Sequence, residues 1–215
     1  MPRLFSYKMT TDNGSAPNPY GPICTLAICK PFIRNVAQIG DWIAGIAGAK
    51  LGEKRNRLIY TMEVTEKLEW IDYDDRCRSR LSIKIPNNSS KEGKAGDCIY
   101  EYMAGEGKTR MRPGVHGEGD RIRDLSGRYV LLSNNFYYFG SLAEVLPDNL
   151  KEIAKIKQSH RSNLNEPFLK LFLDWLLGLG HHQGKIGEPN QCPTWEGGCG
   201  DGGHSHGPSH GGHCQ

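Results

Sequence analysis

The chain has 215 residues, a net charge of +3, and 37% hydrophobic against 24% charged residues. That suits one sizeable domain, or one domain plus a tail, able to bury a core without staples. The charge permits nucleic acid as a partner but is too mild to argue for it, and the 27 glycines matter more for where they fall than for their number.

Residues 1–14 lack a continuous apolar core, so no export signal is read and the cytoplasm is the expected compartment. Seven cysteines without such a signal read as reduced thiols or metal ligands rather than disulfides. The stretch TDNGSAPNPYGPICTLAICKPFIR (11–34) is rigid and irregular. Ala16 and Asn18 each precede a proline and are pushed toward extended backbone, while Gly14 and Gly21 allow positive φ. Cys24 and Cys29 are too far apart for a zinc knuckle, and the apolar residues around them suggest a buried segment. Packed structural thiols and catalytic groups both remain open for them. Lys30 and Arg34 are placed to meet an anion, and Asp12, Asn18 and Thr25 can supply hydrogen bonds to a base edge.

From residue 36 the pattern is β-like. A GD turn leads into an apolar run headed by Trp42. In RLIYTMEVTEKLEW, Leu58, Tyr60, Met62 and Val64 alternate with Ile59, Thr61, Glu63 and Thr65, which predicts a half-buried strand. LSIKI (81–85), CIYEYM (98–103), RYVLLS (128–133) and FYYFG (136–140) are further short strand candidates. The rings of Phe136, Tyr137, Tyr138 and Phe139 must divide between two faces, to pack on helices or to stack on bases. The intervening segments, 86–97 and 104–121, are charged and glycine-rich. GEGKTR (105–110) is not a phosphate-binding P-loop. His116, Glu118 and Asp120 read either as a solvated loop or as acid–base groups.

Helices are expected late, over 146–160 and over NEPFLKLFLDWLLGLG (165–180). The second is apolar almost all round, which predicts burial in its own domain or in a partner. It is too short to span a bilayer and carries Lys170 and Asp174. After Gly180, thirty-five residues hold six of the eight histidines and three of the seven cysteines. This tail reads as disordered low complexity, as an adventitious metal tract, or as a zinc site using Cys192 and Cys199 with His204 and His206. Strands followed by helices give an α+β fold, and edges that must be hidden suggest a small barrel with flanking C-terminal helices and a flexible Gly/His/Cys-rich tail. The division expected is 1–187 for the domain and 188–215 for the tail.

The string APNPYGPICTLAICKPFIR…GDWIAGIAG, with RLIYTMEVTEKLEWIDY and YVLLSNNFYYFG, resembles nucleotide modification associated domain 2 from about residue 3 to about residue 190. The matching positions are Asp12, Pro17, Asn18, Pro19, Cys24, Thr25, Cys29, Lys30, Arg34, Asp41, Trp42, Tyr138 and Gly140. The resemblance implies a place beside the bacterial or phage enzymes that make modified DNA bases. The GDWI…LIYTMEVTEKL unit is also similar to the turn and strand of PUA-like barrels, including the ASCH and EVE groups. Together these imply a protein that holds a modified base, nucleotide or DNA in a barrel pocket. There Asn18 and Thr25 read polar edges, Trp42 or Tyr138 stacks, and Lys30 and Arg34 hold phosphate. One alternative is an enzyme that alters the base itself, with Asp12, Cys24, Cys29 or a loop histidine as acid, base or nucleophile. The other is a metal-binding interaction protein acting through its tail. DNA or a modified nucleotide and other DNA-modification enzymes are the implied partners, with no membrane.

Overall fold

A computed structural model describes residues 1–102, 109–156 and 160–195, the side chains of 163 and 164 excepted. In chain order the elements are β1 (Leu4–Met9), β2 (Cys24–Leu26), α1 (Pro31–Val36), β3 (Trp42–Ala47), β4 (Leu58–Glu63), β5 (Glu66–Glu69) and α2 (Trp70–Ser79). Then come α3 (Lys91–Lys94), β6 (Tyr100–Tyr102), β7 (Thr109–Met111), α4 (Arg121–Leu125), β8 (Tyr129–Ser133), β9 (Phe136–Tyr138), α5 (Leu169–Gly178) and β10 (Gly184–Lys185). The α+β class is observed.

The strands form a five-stranded sheet ordered β1-β3-β4-β9-β10, a three-stranded sheet ordered β2-β8-β5, and the β6-β7 pair. The expected barrel is not formed: none of these sheets closes on itself among the described residues. What happens instead is a double handover. The chain leaves the first sheet at the end of β4 and enters the second at β5, and returns from β8 to β9. The two sheets pack through the inward residues of both, among them Phe5, Tyr7, Met9, Cys24, Leu26, Tyr60, Met62 and Leu131. Outside the second sheet, α2 supplies Trp70, Tyr73 and Cys77 to a core with Val130 and Leu132. Outside the first, Leu150, Ile153, Phe172 and Leu176 cover Leu4, Trp42, Ala44 and Leu58.

Alternation explains most of this. Phe136 and Tyr138 enter the inner core while Tyr137 and Phe139 enter the outer one, so all four rings are packed and none is left to stack on a base. On β4 the expected phase holds for Tyr60, Met62 and Val64 but fails at Leu58, which lies in the outer core while Ile59 lies in the inner one. The cause is a register shift opposite Gly45/Ile46, where Gly45 pairs with Tyr60 and Ile46 with Leu58, leaving Ile59 as an extra residue. Gly45 is needed there because a Cβ would strike the Tyr60 ring and the Met9 sulfur.

Several expected elements differ. LSIKI is a 3-10 turn over Ser82–Lys84, because its lysine turns inward to a buried partner. The helix expected over 146–160 is a 3-10 segment, Asp148–Ala154. Helices also come early, as α1 and α2. Leu176 and Phe172 are buried on α5, but Leu177 is 70% exposed, so this helix docks by one face instead of being engulfed. No helix of the described residues is long and apolar enough to cross a membrane. Beyond residue 187, Asn190 and Gln191 hydrogen-bond Asp12 and the Trp195 indole donates to the Lys94 carbonyl at 3.0 Å. This ties 188–195 to the body.

Candidate active site

The helix α1 begins with Pro31, which denies the right-handed helical conformation to the residue before it. Lys30 adopts φ 43° and ψ 47°, and Cys29 before it has φ 60°. Two successive non-glycine residues in the left-handed region cost about 1–3 kcal/mol each and persist only where their surroundings hold them. The holding groups are identifiable. The Cys29 N–H donates to Asp124 Oδ1 at 2.9 Å, and the Cys29 carbonyl accepts from Arg34 Nε at 2.8 Å.

Arg34 was placed by sequence at an anion. It is instead fully buried and stacks on the Trp70 ring, its guanidinium 5.2 Å from the centroid. It donates to the carbonyls of Cys29, Asp124, Gly127 and Tyr129, which commits four of its five N–H groups to the backbone. Gly127 must be glycine, since a Cβ there would enter the guanidinium. The effect is to clamp residues 29–34 against α4 and the start of β8.

That clamp brings a third segment to the Cys29 thiol, which is half-buried and not in a disulfide. His116 Nε2 lies 3.4 Å from Cys29 Sγ, and His116 Nδ1 lies 2.5 Å from Asp124 Oδ2. Tyr100 donates to the same Oδ2 at 3.0 Å. Both His116 and Asp124 are buried, and only the sulfur end of the relay reaches a partly open position. Burial alone pulls the imidazole pKa down, but the hydrogen bond His116 donates to Asp124, then its hydrogen bond to Cys29 and the charges of both partners, lift it from 6.5 to about 10. Burial pushes the Asp124 carboxyl up, and His116, the Cys29 N–H and Arg34 outweigh this and hold it below the ordinary carboxylate value. The stable form is therefore an imidazolium on a carboxylate, with the second N–H directed at sulfur.

The ligand atoms of Cys29, His116 and Asp124 lie within 4.8 Å of one another, so a metal is a competing occupant. The carboxylate argues against it. Asp124 Oδ1 accepts the Cys29 N–H, and Oδ2 accepts from Tyr100 and His116. His116 Nδ1 is likewise taken, and an ion on Nε2 would need the imidazolium to give up a proton that its bonds to Asp124 and Cys29 hold in place.

The other expected site residues are placed elsewhere or spent. Asn18 and Thr25 belong to a fully buried knot: Lys84 Nζ donates to Asn18 O at 2.9 Å and Oδ1 at 2.8 Å, and Thr25 donates to Asp97 Oδ2 at 2.5 Å. Tyr73 completes it on Asp97 Oδ1 at 2.6 Å. Asp12 is buried, accepting from Tyr138 and from the Asn190 backbone and side chain. Burial raises its pKa against those bonds. Asp12 and Tyr138 thus anchor 188–191. Cys24 is buried and its thiol is pushed up to about 12 by burial, which makes it inert. Trp42 packs in the outer core. Lys30 alone keeps a rim position, its Nζ 4.9 Å above the Tyr7 ring. Beside it, Phe32, 54% exposed, stacks on His160 with centroids 4.4 Å apart. In the tail, Cys192 is disulfide-bonded, which corrects the expectation of reduced thiols there, whereas Cys24, Cys29, Cys77 and Cys98 are reduced thiols as expected; Cys199, His204 and His206 lie outside the described residues.

Asp124 and Tyr100 were not singled out in the sequence. A signal was present: of the four histidines before residue 188, His116 and His160 stand apart from the His181–His182 pair, and both fall beside the Cys29–Lys30 corner.

The family model described as nucleotide modification associated domain 2 matches residues 1–195. Neither the curated proteins nor the solved structures contain a match.

Proposed function

We propose that this chain, which belongs to the nucleotide modification associated domain 2 family, is a cysteine-dependent enzyme of nucleotide base modification. The observation that carries the reading is the Cys29–His116–Asp124 relay, with 3.4 Å and 2.5 Å steps and a strained, half-buried sulfur at its end. An imidazolium beside a thiol favours the nucleophilic thiolate. Asp124 fixes the imidazole ring through one oxygen and the Cys29 backbone through the other, so nucleophile and acid share one reference point. Cys29 Sγ forms a bond to an electron-poor carbon of the base, or of a group being attached to it. The displaced electron pair moves to the neighbouring heteroatom, where the His116 Nε2 proton neutralises it. The protonated heteroatom then leaves with its electron pair, and the N–H or O–H of a second substrate attacks the same carbon: the new bond forms as the C–S bond breaks, and the nucleophile's proton returns to His116 Nε2.

Around the thiol, Lys30 offers a cation to a nucleotide phosphate and the exposed Phe32–His160 stack offers a face to a base. His160 is held below its ordinary pKa by burial and by the Lys30 charge. It presents a neutral ring to stacking at physiological pH. The β3–β4 unit keeps its likeness to PUA-like domains within this reading, and the setting is the cytoplasm of a bacterium or a phage-infected cell, alongside other DNA-modification enzymes. Residues 1–187 make up the functional domain in this reading, with 188–215 as a tail whose first residues, 188–195, are tied to the body.

Nucleoside mass spectrometry of DNA from cells with the gene, without it, and with Cys29→Ser tests the assignment. A base mass present only with the parent gene supports it. The same mass in the Cys29→Ser cells sinks the catalytic role and leaves a binding protein.

A further inference from the structure

The turn between β3 and β4, KLGEKRNR (50–57), carries more positive charge than its surroundings balance. Two adjoining hollows of about 540 Å³ and 450 Å³ share Arg55, Asn56, Ala154 and Lys155. Lys8, Lys50, Arg55, Arg57, Lys151 and Lys155 line them against a single carboxylate, Glu53. Lys151 pairs with Asp148 and Lys155 with Glu152, but Lys50, Arg55 and Arg57 have no carboxylate partner among the described residues. Lys8 donates to Asn56 Oδ1 at 2.5 Å, and its pKa is lowered by burial and by the neighbouring Arg55 charge. Cations crowded so that they repel one another, without carboxylates to settle them, are a site for an anion.

We propose that this trough binds the phosphate backbone of a nucleic acid strand, and that the base modified at Cys29 therefore belongs to a polymer and not to a free nucleotide. The second half rests on the catalytic reading above; the first does not. Strand alternation separates the two places. On β1, Phe5, Tyr7 and Met9 face the inner core, and Lys30 sits over Tyr7 next to the thiol. Lys8 points the opposite way, and the trough's Leu146 and Ala154 belong to the outer core. A mononucleotide seated at Cys29 leaves the trough on the far face of the sheet empty, while a strand can reach both. Two hollows, each with its own cations, fit successive phosphates. The apolar Val145 and Leu146 beside them suit sugars or unstacked bases.

The test uses the full chain and the triple variant Lys50→Ala, Arg55→Ala, Arg57→Ala, all exposed positions. Labelled single-stranded and duplex oligonucleotides, a mononucleotide, and vesicles containing phosphatidylserine are titrated over a salt series. The variant is expected to lose about tenfold or more in oligonucleotide affinity at low salt. Its slope of log K against log salt falls by about 2 for single strands. Mononucleotide binding and the rate of Cys29 alkylation stay at parent values. Equal oligonucleotide affinity in parent and variant, or binding of the parent to vesicles and not to oligonucleotides, overturns the trough. Parallel loss of mononucleotide and oligonucleotide binding overturns the polymer assignment. Cys29→Ser separates the two readings: it must bind oligonucleotide as the parent does, and modification retained there with intact binding overturns the catalytic reading while leaving the trough standing on its own.

Discussion

Two buried polar centres adjoin the β2 segment, one through Thr25 and one through Cys29, and they differ in one respect that decides what each can do. In the Lys84–Asp97 centre every group is fully buried, and the ammonium, carboxylate, amide and two hydroxyls satisfy each other or nearby carbonyls. Nothing there faces outward. The His116–Asp124 centre is built from the same kinds of bond, but its chain of donors ends on a half-buried sulfur. A closed network specifies a fold, whereas a network with one open end can pass a proton to something else. Cys24 and Cys29 repeat the contrast at the level of single thiols.

The largest effect expected is on the closed centre. Lys84→Met removes two charge-assisted hydrogen bonds to Asn18 and the nearby cation that offsets the burial of Asp97, and should cost about 3–5 kcal/mol in urea unfolding. Modification activity per folded molecule stays unchanged; a loss below about 1 kcal/mol would mean that the knot does not hold the fold. Next comes His116→Gln, expected to lose about 1.5–3 kcal/mol through the missing charge-assisted bond to Asp124. The variant should also lose the alkylation of Cys29 by iodoacetamide at mildly acid pH. Unaltered alkylation kinetics there would separate His116 from the thiol.

The pH dependence sharpens the same difference. The His116 pKa is raised in the folded chain from 6.5 to about 10, so its contribution to stability is complete below the ordinary imidazole value and is lost as pH rises toward 10. Asp124 is lowered, so its share is present above the ordinary carboxylate value and is lost as pH falls through the depressed one. The difference in urea midpoint between parent and His116→Gln should therefore shrink steadily from neutral pH to about pH 10. A constant difference over that window contradicts the ion pair. The smallest effect separates the thiols: Cys29→Ser should stay within about 1 kcal/mol of the parent, and Cys24→Ser should cost about 1–3 kcal/mol for a hydroxyl in an apolar core. Reactivity should vanish only in the first.

The sequence made the strands with strong alternation readable. Tyr60, Met62, Val64 and the four rings of 136–139 fall where period two puts them. What escaped is whatever depends on a partner distant in the chain. Trp70–Ser79 has half its length in charged residues, of which Arg76, Arg78 and Asp74 find Glu66, Glu101 and Arg112, so its helical face does not stand out locally. The barrel failed because the chain passes between two sheets after β4 and after β8, and which sheet a strand joins depends on partners distant in the chain. At the site, Cys29 was legible as a candidate and His116 as a loose possibility, but nothing local joins them. Arg34 and Asn18 looked like ligand-binding groups because a side chain that caps a buried carbonyl carries the same donors as one that holds a phosphate.

The Arg34 clamp has a consequence for how the molecule comes into being. Cys29 is translated 87 residues before His116 and 95 before Asp124. Until the carbonyls of Gly127 and Tyr129 have left the ribosome, Arg34 has nothing to grip and the corner at Cys29 has nothing to hold its left-handed turn. The nascent thiol is then an ordinary one on a flexible chain, without a neighbouring imidazolium. Its chemistry switches on only when the second half of the chain has arrived, so the protein is protected from its own nucleophile for as long as it is incomplete.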